Sequence, residues 1–378
     1  MLIFLAGLLS KPAFAKTILV LGSGGVVGTG LVHELRKRSH SVIEIRNRLH
    51  IDLRVNNSLG HLYNEDIDFC FFLACEVGGS KYITSTLNDK AIWDYNMDIY
   101  DNVFHFLRMK KTPFIFSSSQ LAVSMSTYRK AKLRGEKLME TIPYGKSVRF
   151  WNVYGPEKIG SKSHIISDWI HQCLRHGYLE SRTSGDEKRQ FVHSSEMAVS
   201  LSDIMDSFEK VPKVLDVTSG VWLTMRNIAN IITAVSGKPC QHRFTKSNSS
   251  NMMGLEPSNP WIVKADIWSG IRSMVHHYER TLHRESCSLG NPYVSVILAT
   301  SNDSKNDIRR STFNFLQTFL KSAQDAHLSY ELIVVQYNPK INTSYPASNF
   351  FLEDPTSDQD LPFSQLFPWT HVSSTACL

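Results

Sequence analysis

Thr17-Ile18-Leu19-Val20-Leu21-Gly22-Ser23-Gly24-Gly25-Val26-Val27-Gly28 is the stretch on which the fold turns. Thr17 to Leu21 run without polar alternation, the pattern of a strand buried on both faces. The glycine cluster ends the run, and a helical stretch with apolar positions at Leu31 and Leu35 carries on to Arg38. A strand, a glycine turn and a helix present free N–H groups and the positive end of the helix dipole at the turn, which suits an anion. Gly22, Gly25 and Gly28 stand at G-x-x-G-x-x-G spacing, and Gly24 also permits a G-x-G reading. Such glycines let the backbone turn tightly and approach a pyrophosphate, with Val27 alongside.

Working outward, strands are expected at Ser41–Ile45, Phe69–Ala74, Phe114–Phe116 and Ser147–Phe150, with helices at Asp94–Met109 and Thr127–Glu140 between them. Strands alternating with helices predict βαβ units and an α/β fold with a doubly wound parallel sheet. Beyond Gly155-Pro156 the pattern is mixed. Helices are expected near Ile165–Leu174, Ser195–Phe208 and Arg226–Ser236 and a strand at Val214–Val217, with polar stretches at 181–190 and 246–260. A fresh strand at Tyr293–Ala299, a helix at Ile308–Ala323 and a strand at Glu331–Val335 open a partial α/β segment with an irregular, proline-rich tail. The organisation expected is an apolar segment at 1–16, one domain at 17–285 whose smaller interleaved lobe is mainly 152–285, and a segment at 292–378.

The 378 residues carry 41 Lys+Arg and 35 Asp+Glu, a net charge of +6, with 42% hydrophobic and 20% charged residues. This composition excludes a disordered chain, a collagen-like repeat and a disulfide-dense miniprotein. No long basic block supports nucleic-acid binding. No apolar run approaches the ~18 residues of a membrane-spanning helix. Met1–Leu9 followed by Ala13-Phe14-Ala15 has the look of a secretory signal, but its front end lacks a positive side chain, so a cytoplasmic protein is expected, with the secretory pathway as the alternative. Six scattered cysteines without a C-x-x-C pair predict reduced, mostly buried thiols and no metal site. Asp358-Gln359-Asp360 lacks a preceding apolar strand and reads as a plain acidic cluster.

Two further sites carry chemistry. After the second strand, where an acidic residue would grip a ribose 2′-hydroxyl, Arg46-Asn47-Arg48 stands instead; arginine there suits a 2′-phosphate, so NAD and NADP both remain open. Asp52 and Leu53 are placed to flank the adenine. Tyr128 and Lys132 are four apart on a helix and share one face, just after a strand ending in Ser117-Ser118-Ser119. A free tyrosine titrates near pH ~10, and a neighbouring ammonium favours its phenolate. Tyr154 and Lys158 share the spacing, but Gly155-Pro156 breaks the helix between them.

Taken together, LGSGGVVG, FFLACEVGG, FIFSSSQ, YRKAK, VRFWNVYGPE and GDEKRQFVH resemble the extended short-chain dehydrogenases, the NAD-dependent epimerase/dehydratases of nucleotide sugars. The resemblance spans about residues 17–285 and implies a Rossmann fold. It implies a Ser119–Tyr128–Lys132 site in which Tyr128 takes a sugar hydroxyl proton and Lys132 holds the nicotinamide ribose and lowers the tyrosine pKa. Ala74 and Cys75 would pass along the cofactor, Asn152 would contact the nucleotide sugar, and Arg189 would meet its diphosphate. A homodimer is common in that family. Three features depart from its pattern: only nine positions separate Ser119 from Tyr128, Arg46 replaces the acidic cap, and Ser195-Glu196 replaces an aspartate pair. The short connection IRNRLHIDLR resembles the GDP-fucose synthetase and dTDP-rhamnose reductase branch, so an NADP-dependent reductase of 4-keto sugar nucleotides stands as the alternative to an epimerase/dehydratase. A non-catalytic cofactor-binding scaffold is the third reading. VSVILATSND and ELIVVQYNP resemble the opening unit of a GT-A glycosyltransferase, present as a truncated segment.

Overall fold

Seven strands form one wholly parallel sheet: β1 (Thr17–Leu21), β2 (Ser41–Ile45), β3 (Phe69–Phe72), β4 (Phe114–Ser119), β5 (Gly145–Phe150), β10 (Val214–Thr218) and β13 (Pro260–Ile262). Their order is β13-β10-β5-β4-β3-β1-β2. The computed structural model describes residues 15–120, 126–245, 256–288, 293–301, 329–337, 351–353 and 360–362. Smaller pairs join β6 (Asn152–Tyr154) to β9 (Phe191–His193), β7 (Tyr178–Ser181) to β12 (Gln241–Phe244), and β8 (Lys188–Arg189) to β11 (Leu223–Thr224).

The uninterrupted apolar strands are explained by burial on both faces. In β1, Ile18 and Val20 join a core with Leu31, Leu35, Met197 and Leu201, whereas Leu19 and Leu21 face Phe72, Tyr100, Phe104 and Phe116. Helices α1 (Val26–Lys37) and α6 (Ser194–Asp206) cover the first face; α3 (Asp89–Lys110) and α4 (Thr127–Glu140) cover the second. Between β3 and α3 lies the short α2 (Ser80–Ile83). A third core, with Trp169, Ile170, Ile228, Ile232 and Met274, is built from α5 (Ile165–His176), α7 (Met225–Ser236) and α8 (Ile267–Ser288).

The expected parallel α/β fold is therefore what forms. Helix α3 starts five residues before the expected Asp94, with Asp89 in its first turn, where a carboxylate favours the positive helix end. The polar stretches at 181–190 and 246–260 are not wholly irregular, since β8 and the start of β13 lie there; residues 246–255 lie outside the described residues. The reading of all cysteines as reduced thiols is corrected: Cys173 and Cys240 form a disulfide, because folding brings their Cα atoms to 5.5 Å despite 67 residues of separation. Cys70 and Cys75 are free.

The chain divides into two units, Met1–Arg280 and Thr281–Leu378. In the second, β14 (Tyr293–Ser301) and β15 (Ser329–Tyr337) pair in parallel, and the helix expected at 308–323 lies outside the described residues. So do the apolar segment 1–14 and most of the tail, including Asp358 and Gln359. Among the described residues no helix is long and apolar enough to cross a membrane.

Candidate active site

A cavity of about 1640 Å³ opens at the carboxyl ends of the sheet strands, and every residue nominated from sequence lines it. One end is the glycine loop. Gly22 has φ +89°, in the left-handed region that favours glycine, and a Cβ on Gly28 would lie 2.2 Å from the Gly22 carbonyl oxygen. The loop and α1 thus meet with no room for a side chain, and the Gly22 and Ser23 N–H groups donate to Ile45 O at 2.8 and 3.1 Å. This fixes the end of β2 beside the loop. A backbone cradle at a helix N-terminus fits a pyrophosphate.

Arg46, Asn47 and Arg48 line the same end. The acidic side chains there are engaged: Glu44 pairs with Arg36 at 2.6 Å and with Arg46 at 3.9 Å, and Asp52 holds Arg54 at 2.6 Å. The Arg54 hydrogen bonds keep the Asp52 carboxyl below its ordinary range. Arg54 also lies over Tyr95, 4.5 Å from the ring centroid. Leu53, Ala74 and Cys75 complete this wall.

The middle of the cavity is set by α4 against β4. Ser126 caps α4 by accepting from the Arg129 N–H, and Tyr128 and Lys132 share the buried face of its first turns. One turn further on, a Cβ on Gly135 would meet Phe116 Cζ at 2.3 Å, so the helix packs directly on the sheet. Ser119 at the end of β4 lines the cavity with Tyr128 and favours the charged form of its phenol. Lys132 Nζ donates to Ser117 O at 2.9 Å and lies 5.7 Å from the Tyr128 ring centroid. Burial raises the Tyr128 phenol well above its ordinary value, the neighbouring Cys75 adds to the rise, and Ser119 opposes both. The expected lowering by Lys132 does not set the balance: burial dominates here, and the ammonium is turned to a backbone carbonyl. Residues 121–125, the short connection that precedes α4, lie outside the described residues.

The far end belongs to the second lobe. Asn152 Nδ2 donates to Gln190 O at 3.1 Å. The buried Gln190 side chain in turn accepts from Thr218 and from the Gly220 N–H at 2.9 Å. Arg189, adjoining Gln190, is half-buried; burial lowers its pKa and Glu187 counteracts it. Such a desolvated guanidinium is poised for an anion.

Sequence reasoning missed the wall between these regions. Glu76 accepts from Tyr82 at 2.5 Å and from Lys162, Lys81 pairs with Asp168 at 2.6 Å, and His164 Nδ1 meets Glu157 at 2.9 Å. Glu76, Lys81, Lys162 and His164 all line the cavity. Their partners lie up to 87 residues apart, so no local spacing signals them.

The NAD dependent epimerase/dehydratase family model matches residues 18–217. ADP-L-glycero-D-manno-heptose-6-epimerase of Alkalilimnicola ehrlichii is 21% identical over 220 residues, 47% of this chain and 68% of that one. UDP-glucuronic acid decarboxylase 1 of Xenopus tropicalis is 21% identical over 313 residues, 72% and 74% of the two chains. A GDP-L-fucose synthetase from Naegleria fowleri, solved with NADP, superposes with a TM-score of 0.61 at 15% identity, covering 73% of this chain and 95% of that one; at this identity the likeness speaks for the fold.

Proposed function

The chain belongs to the NAD dependent epimerase/dehydratase family, and on that premise we propose that it is an NAD(P)-dependent epimerase/dehydratase of a nucleotide sugar, working through a 4-keto intermediate. The observation that carries this reading is the placing of Tyr128 and Lys132 on the buried face of α4, with Ser119 at the end of β4 lining the same cavity, which runs from the glycine loop to Asn152 and Arg189. Gly22, Gly25, Val27 and Gly28 would hold the dinucleotide pyrophosphate; Asp52 and Leu53 would flank the adenine, with Ala74 and Cys75 along the rest. When bound, the nicotinamide supplies a reversible hydride acceptor. Tyr128 takes the proton of the sugar hydroxyl at its phenolic oxygen, with Ser119 sharing the hydrogen bond. Approach of Lys132 to the shared site on loading would offset the burial that disfavours the phenolate. Asn152 orients the nucleotide sugar, and Arg189 holds its diphosphate.

The arginines at the end of β2 favour a second reading. Among the described residues the two carboxylates beside this loop are engaged by arginines, Glu44 by Arg36 and, at 3.9 Å, by Arg46, and Asp52 by Arg54, while Arg46 and Arg48 suit a 2′-phosphate. This supports NADP, and with it a reductase of 4-keto sugar nucleotides. Incubation with UDP-, GDP- and dTDP-sugars, with products identified by NMR, tests the proposal; conversion of none of them, with no nicotinamide cofactor bound, would overturn it and leave the scaffold reading. Net NADPH consumption marks the reductase, since an epimerase regenerates its cofactor each turnover. We read the parallel β14–β15 pair as the GT-A-like segment, with no catalytic part in this reaction, the partner as a nucleotide-sugar substrate, and a homodimer only as the assembly common in the family it resembles.

A further inference from the structure

Cys173 sits in the last turn of α5, and Cys240 immediately precedes β12. Their disulfide does more than join two points. The Cys173 sulfur also lies 3.4 Å from Ser236 Oγ at the end of α7, and the Gln241 N–H next to Cys240 donates to Gly177 O just beyond α5. One covalent bond thus gathers the ends of α5 and α7 and the root of the β7–β12 ribbon. That ribbon has only two strands, paired from Tyr178↔Gln241 to Ser181↔Phe244, and such pairs are marginal alone. Trp169 of α5 covers it: its Nε1–H donates to Glu180 O at 2.7 Å, and its ring meets Phe244 edge-on at 5.9 Å. The ribbon's other end delivers Glu180, Ser181 and Thr245 to the cavity, and α5 delivers Trp169 and Gln172.

We propose that the Cys173–Cys240 bond is a native brace that holds the second lobe's end of the cavity in its binding shape, and that it forms in an oxidising compartment. The two thiols lose two protons and two electrons to the disulfide of a small thiol or an oxidoreductase, which leaves as two thiols. Closing a loop of 67 residues removes freedom mainly from the unfolded lobe, where long loops have most to lose. The cofactor end has no share in the brace, because Cys70 is sealed inside β3 and Cys75 is free. The effect on ligand binding rests on reading this lobe as the nucleotide-sugar side; the bond and its local effect do not.

The test uses the full chain secreted through an oxidising compartment, purified without reductant and treated with N-ethylmaleimide. Peptide mapping is expected to give Cys173 joined to Cys240. Hydrogen exchange is then followed before and after treatment with a phosphine reductant, and in the C173S/C240S double variant. Loss of the bond is expected to speed exchange about tenfold or more over 165–181 and 241–244, with residues 17–45 changed less than about twofold. NADPH affinity should stay the same while UDP or GDP binding weakens by about tenfold. Maleimide on both cysteines, or unchanged exchange over the ribbon once the bond is gone, would overturn the brace. If the exchange pattern holds but neither UDP nor GDP binds either form, the brace stands and the nucleotide-sugar assignment of this lobe falls.

Discussion

Replacing Gly28 with alanine probes the junction on which cofactor binding is proposed to depend. The added methyl would stand 2.2 Å from the Gly22 carbonyl oxygen, 2.7 Å from Ser23 Cα and 2.9 Å from Ser23 C. All three are backbone atoms, so no side chain can swing aside, and the first contact is more than an ångström short of the ~3.5 Å at which nonbonded atoms pack comfortably. Either α1 slides away from the loop or the loop distorts; overpacking of this kind costs about 1–3 kcal/mol. Because the Gly22 and Ser23 N–H groups also tie the loop to Ile45, the distortion reaches the end of β2. Dinucleotide affinity should therefore fall roughly 5- to 150-fold, at tenfold per 1.4 kcal/mol. Gly25→Ala is the control: its φ is −81° and its nearest new contact is 3.4 Å, so its unfolding free energy should stay within about 0.5 kcal/mol of the parent's. NADPH fluorescence titration and urea unfolding read both variants. Gly28→Ala binding NADPH within about twofold of the parent protein would refute the claim that this contact shapes the cradle.

Tyr128→Phe removes the proposed base without changing the buried ring, and kcat should fall by about 10²–10⁴ with NADPH affinity unchanged; steady-state turnover on the converted sugar nucleotide checks it. Arg46→Glu should shift the NADPH/NADH affinity ratio towards NADH by about tenfold, the charge lying partly in solvent, as read by paired fluorescence titrations. The third concerns pH. His193 caps α6 through Nδ1, which accepts from the Ser195 N–H, and burial lowers its pKa below 6.5. Well above pH 6.5 both folded and unfolded forms are neutral, and the cap's contribution is fully present. As pH falls below 6.5 the unfolded chain takes up the proton first, so stability declines until the folded-state pKa is passed, by at most ~1.4 kcal/mol per pH unit. Urea unfolding at pH 7.5 and 5.5 should show a smaller pH loss for His193→Asn, which keeps a capping oxygen, than for the parent; equal losses would exonerate His193.

The inner strands of the sheet were legible because they are buried on both faces. Phe69-Cys70-Phe71-Phe72 and Ile18 to Leu21 must be apolar throughout, and they read as strands with no help from context. Helix α4 matches its expected span, Thr127–Glu140, since its polar outer face and buried Tyr128, Ala131, Lys132 and Gly135 repeat at helical spacing. The ribbons were illegible for the opposite reason. β8 and β11 have two residues each, β6 and β9 three, and their partners lie 30 or more residues away, so no local period marks them. The Cys173–Cys240 bond has the same character: spacing within the chain says nothing about two thiols that meet only when α5 and β12 pack.

Gln190 shows what such distant pairing accomplishes at the site. Ser119 and Phe150 are register partners on β4 and β5, so the sheet fixes how far the Tyr128 wall stands from Asn152, two residues beyond Phe150. Asn152 donates to the Gln190 carbonyl, the Gln190 side chain accepts from Thr218 at the end of β10 and from Gly220 just beyond it, and Arg189 precedes it in the chain. The proposed sugar-orienting amide and the proposed diphosphate-binding guanidinium therefore share one anchor at the ends of the sheet strands. On the proposed reading, the distance between reacting hydroxyl and diphosphate is set by backbone register rather than by the reach of flexible side chains. That is the kind of rigid mount a site needs to hold a substrate within reach of one tyrosine oxygen.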